Sequence, residues 1–122
     1  MRINKKNKND ERRILIAMIV DKMVLSRIAV RWDKPGLFKT KYANIIGGWC
    51  IRYYRKYEKP PMKHIENLYE NWAAKSADDN SVKLVEKFLS NLNKEYKELK
   101  HESNSQYVID LAEKYFNNIQ LK

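Results

Sequence analysis

An all-α fold, a compact bundle of about six short helices, is what this sequence predicts, and three observations predict it. Apolar residues recur three and four positions apart through most of the chain, the offsets that line one face of a helix. Only three Gly and three Pro occur in 122 residues, too few for a loop-rich chain. The polar stretches between the apolar stripes are short, Asp33 to Gly36 and Asp78 to Ser81 being typical. With 43% hydrophobic and 33% charged residues, the chain reads as one domain, able to bury roughly two-thirds of the surface its unfolded form exposes.

Residues 1–9 are polar and lysine-rich and read as a flexible basic arm, ahead of a helical domain over 10–122. Asn9 or Asp10 is placed to cap the first helix. Ile14, Leu15, Met18 and Ile19 give that helix its stripe, and Val24, Leu25, Ile28, Ala29 and Trp32 give a second. Asp21 and Lys22 mark the junction, because Asp competes for local backbone hydrogen bonds. Asp33, Lys34, Pro35 and Gly36 form a turn, after which Leu37 and Phe38 re-enter the core.

The helix from Thr40 to Tyr57 carries an expected buried stripe of Tyr42, Ile45, Ile46, Trp49, Tyr53 and Tyr57. Gly47 and Gly48 inside it cost about 1 kcal/mol each relative to Ala, so the close approach of another helix is expected there. Pro60 and Pro61 end this helix, and Pro61 opens the next, with Ile65, Leu68, Tyr69, Trp72 and Ala73 inward. After the break at Asp78 to Ser81, a helix to Leu99 presents Val82, Val85, Phe88, Leu89, Leu92 and Tyr96. His101 to Ser105 is a polar loop, and the last helix shows Tyr107, Val108, Leu111, Ala112, Tyr115, Phe116 and Ile119.

The formal charge of +10 is uneven: residues 1–63 hold 17 Lys and Arg against 5 Asp and Glu, and residues 64–122 hold 8 against 10. An anionic partner on the basic half is the implication. Arg52, Arg55, Lys56 and Lys59 interleave there with Tyr53, Tyr54 and Tyr57, rings able to stack on unpaired bases. Tyr54 lies off the expected buried stripe and is the freer ring, so Arg52, Tyr54, Arg55, Lys56 and Lys59 are the candidate contacts to nucleic acid or an acidic partner. Cys50, the lone cysteine, reads as a small buried filler and points to a reducing compartment. No run is apolar enough for a signal peptide or a membrane span, so a soluble, cytoplasmic protein without membrane contact is expected.

Chemistry finds little footing. His64, His101 and Cys50 are too scattered for a metal site, and no GxxxxGK[ST] phosphate loop surrounds the glycines. Glu66 and Glu70, four apart, read as a solvated helix face. No catalytic residue, cofactor or metal is assigned, and the chain is expected not to be an enzyme.

The residues from Glu11 to Asp21, a helix closing on an acidic turn, are followed by Trp32 to Phe38, a loop ending on a Phe, and by the helix from Tyr42 to Tyr57. Then come the Pro-led string Pro60 to Leu68 and the helix Tyr107 to Phe116. In this order the chain resembles the N-terminal domain of DnaB-like replicative helicases, in the form carried by bacteriophages. The chain departs from the family in lacking the ATP-hydrolysing motor and in the length of the helix from Ser81 to Leu99. The resemblance implies a non-catalytic collar domain that pairs through a helical hairpin, forms a homo-oligomer and docks primase or helicase loader. Its last helix would be the first arm of that hairpin, with Tyr107, Leu111, Tyr115, Phe116 and Ile119 in the self-association surface. On that expectation, Leu111→Asp or Phe116→Asp would dissociate the oligomer without unfolding the chain. A stand-alone nucleic-acid-binding protein is the alternative reading.

Overall fold

The computed structural model describes residues 2–33, 36–75, 78–92 and 104–120, with the backbone alone for 2–9, 119 and 120. The expected Tyr96, Leu99, His101, Lys34 and Pro35 lie outside the described residues, as does the side chain of Ile119. The fold is all-α: α1 (Arg2–Val20), α2 (Lys22–Arg31), α3 (Lys41–Tyr57), a short 3-10 turn (Met62–His64), α4 (Ile65–Lys75), α5 (Asp79–Ser90) and α6 (Ser105–Gln120). Among the described residues there is no strand, and no helix is long and apolar enough to cross a membrane.

The backbone is helical from Arg2, so Asn9 and Asp10 lie inside α1 and do not cap it. Asp21 does end that run: one carboxylate oxygen accepts from the amides of Met23, at 2.9 Å, and Val24, capping α2. Its other oxygen accepts from the Ser105 hydroxyl at 2.5 Å, which fixes the start of α6 beside the start of α2. At the far ends of both helices, the Arg31 guanidinium donates to Asn117 Oδ1 at 2.8 Å. Two tethers at matching ends make α2 and α6 a parallel pair. Asp78 caps α5 through the Ser81 amide and holds Lys41 in a 3.0 Å salt bridge, joining the first turns of α5 and α3.

Helix α1 packs against α2, α3 and α6, burying Ile14, Leu15, Met18 and Ile19 among them. Burying one such side chain fully is worth about 1.5–3 kcal/mol. On α6 this packing covers Val108, Ala112, Tyr115 and Phe116. Tyr115 and Phe116 are buried in the chain's own core, Phe116 at 1% exposure, and Phe38 sits against both rings with centroids 6.1 and 5.5 Å away. The expectation that a second copy must cover these two residues fails because α1, α2 and the Phe38 loop already do so. Phe116→Asp would place a charge in the interior and unfold the chain.

Candidate functional site

The rotation of α3 decides which of its side chains reach solvent. Its most buried line is Ala43, Ile46, Gly47 and Cys50, three of them small enough to let neighbouring elements approach closely. Tyr54, one further turn along, is therefore half-buried against the core, and Tyr57 is 51% exposed. This reverses the expected roles of the two tyrosines. Gly47 makes room for an aromatic ring and not for a helix: a Cβ there would lie 2.7 Å from the outer edge of the Trp32 ring. Beside Gly48, a Cβ would meet the Arg52 guanidinium at 3.3 Å, so Arg52 folds back over the bare backbone.

These features open a concave face of about 1200 Å³ beside α3. Trp32 at the end of α2, Trp49 on α3 and Trp72 on α4 line it, and these are all three tryptophans of the chain. Trp49 and Trp72 pack with ring centroids 5.5 Å apart. A second, smaller concavity of about 410 Å³ shares Trp49, Arg52 and Trp72 with the first and continues to Tyr53, Tyr57 and Lys75. Tyr53 and Tyr57 lie 4.6 Å apart, and the His64 ring stacks on Tyr53 at 6.2 Å.

Lys39, Lys41, Arg52, Arg55, Lys56 and Lys75 supply the cations of this continuous surface, and Asp33 is the one carboxylate among its lining residues. Lys41 is engaged with Asp78. Arg52 makes no ion pair with any described residue, while Arg55 reaches the Ala29 carbonyl at 3.5 Å and the Lys56 ammonium sits 5.3 Å over the Tyr57 ring. Of the sequence-derived contacts, Arg52, Arg55 and Lys56 thus come together on the face, and exposed Lys59 and half-buried Tyr54 lie outside its lining. Sequence reasoning missed Trp32 and Trp72, which reach the face from other helices.

A second polar cluster is interior. Glu11 on α1 is 3% exposed, and its carboxylate accepts from the Lys39 amide at 2.7 Å, the Thr40 amide at 3.3 Å, the Thr40 hydroxyl at 2.5 Å and the Tyr115 hydroxyl. A negative charge thus sits at the first turn of α3, where the helix dipole favours it. Burial first, then the Glu11 hydrogen bond and charge, push the Tyr115 hydroxyl well above the usual phenol range, so at neutral pH it remains the donor. Cys50 is wholly buried, and burial drives its thiol far up, which leaves it inert. Every partner of Glu11 belongs to the fold, so this cluster fixes α1, α3 and α6 and is not an open reaction centre.

Of the self-association residues expected on α6, Tyr107 is 53% exposed and Leu111 is half-buried. On the neighbouring α2, Met23 and Val30 are seven residues apart and also exposed, Val30 at 88%. Among the described residues, no three metal-ligating side chains converge. Comparisons with family models, with curated proteins and with solved structures give no match.

Proposed function

We propose that this chain is a non-catalytic assembly and docking domain of the type that opens bacteriophage replicative DNA helicases. It would act in the host cytoplasm, form a homo-oligomer, and present surfaces to primase or a helicase loader. The observation that carries this reading is the exposure of Met23 and Val30 on α2 and of Tyr107 on α6, two helices tied together at both ends. Exposed apolar side chains on two helices held in fixed register would gain from cover by a second copy, and a two-fold interface would use the same residues on both copies. The order of helices, with Pro60 and Pro61 between α3 and α4, is the support for the helicase-like assignment.

Sedimentation of the purified chain over a range of concentrations tests it. Reversible association is expected, and Val30→Asp combined with Tyr107→Asp should shift the chain to monomer with its helical circular dichroism intact. A wild-type chain that stays monomeric at every concentration refutes self-association.

The face around Arg52 favours a second reading, a basic helical domain that binds nucleic acid directly, because its cations outnumber its acids and adjoin exposed rings. Salt separates the two readings: phosphate contacts weaken steeply as salt rises, and an apolar interface does not.

A further inference from the structure

We propose that the concave face shared by α3, α4 and the end of α2 is a binding site for single-stranded nucleic acid. This rests on the second reading above, that the face contacts nucleic acid, and it adds the class of strand. The cations alone would suit any polyanion, so the rings decide the class. In the last turns of α3, Arg52 precedes Tyr53 and Lys56 precedes Tyr57, which places a charge for the backbone beside a ring for a base at successive turns. Tyr57 is half exposed, Tyr53 is half-buried beside it, and Trp72 closes the opposite wall from α4. In a duplex the base faces are covered by their neighbours, whereas an unpaired strand can turn them onto such rings.

The layout also fits a strand in length and continuity. From Lys41 to Lys56 α3 rises about 22 Å, and Arg52 with Trp72 lies in both concavities, so one track joins them. Gly48 matters here: the absent side chain lets the Arg52 guanidinium lie along the helix and keeps the larger concavity open. Of the six cations, only Lys41 has a carboxylate partner among the described residues, which leaves charges for phosphate.

All three tryptophans line the larger concavity, so their own fluorescence reads occupancy. Titration with an oligothymidylate of about twenty nucleotides should quench the emission and raise the anisotropy of a labelled strand. With roughly four phosphates neutralised, affinity should fall about fiftyfold between 50 and 200 mM salt. Arg52→Ala with Arg55→Ala should flatten the salt slope by about 1.4, and Tyr57→Leu should weaken binding by about fivefold or more at unchanged thermal stability. An oligouridylate run in parallel identifies which sugar the face prefers. If duplex DNA of the same length competes as well as the single strand, or Tyr57→Leu binds like wild type, the stacking assignment is overturned while nucleic-acid contact stands. If no oligonucleotide binds at 50 mM salt, both fall, and an acidic protein surface becomes the partner of the face.

Discussion

The cluster around Glu11 and the face around Arg52 both set charged groups against aromatic side chains, and they differ in where the opposing partners come from. Glu11 is buried, and its acceptor sites are filled by the Lys39 and Thr40 amides and by the Thr40 and Tyr115 hydroxyls. Arg52 is exposed, with no carboxylate partner among the described residues. A charged side chain whose hydrogen bonds are satisfied by its own fold contributes stability. One left facing solvent beside rings is available to something else. The contrast separates polar groups used by the fold from those left facing solvent.

Glu11→Ala should be the most damaging change to this contrast, because it takes the acceptor from two part-buried amides and two hydroxyls, one of them buried: a loss of about 3 kcal/mol by urea unfolding is expected. A loss under about 1 kcal/mol would mean that the cluster is less structural than its hydrogen bonds suggest. Tyr115→Phe removes one donor to the carboxylate and should cost about 1.5 kcal/mol, measured the same way. Gly47→Ala gains helix propensity but forces the Trp32 ring aside, for a net cost of about 1 kcal/mol and a shift in tryptophan emission. Arg52→Ala with Arg55→Ala should change stability by less than about 0.5 kcal/mol; a larger loss would move the Arg52 face into the structural class.

The smallest effect concerns pH. Hydrogen bonds from Ser81 and Lys41 hold the Asp78 carboxyl down to about 2. Its folded-state pKa is thus below its unfolded one, so its contribution is present above about pH 4 and lost as pH falls through that window toward 2. The stability difference between wild type and Asp78→Asn should therefore narrow between about pH 4 and 2, seen in thermal melts. A difference that stays constant across that range would show that neither the Ser81 hydrogen bonds nor the Lys41 bridge favours the charged carboxylate.

The sequence conveys local structure well, because local structure depends on neighbours. Asp21 marks the α1–α2 junction, Pro60 and Pro61 separate α3 from α4, and Asp78 sits before α5, each for a reason confined to a few residues. The rotation of α3 was less accessible. A stripe drawn through its large residues gives Ile46 and Trp49, which are buried, and also Tyr53 and Tyr57; packing on the small Ala43, Gly47 and Cys50 as well turns the helix and carries Tyr54 inward. The coverage of Tyr115 and Phe116 depends on α1 and on Phe38, more than seventy positions earlier, which no stripe within α6 reveals. Glu11 was read only as one letter of an opening helix, since its partners lie 28 to 104 positions away. Of the Arg52 face, the cations were legible from their spacing on one helix, while Trp32 and Trp72 join them only through the fold.

The distance along the chain between Glu11 and Tyr115 has a consequence for how the molecule is made. Ribosomes deliver α1 before α6, so the Glu11 carboxylate waits for a hydroxyl partner 104 positions later. Until α6 is synthesised, the apolar flank of α1 and α2 has no lid, and closure must wait for the residues from Ser105 onward. Truncated translation products ending before Ser105 should therefore be sticky, protease-sensitive species that draw chaperones.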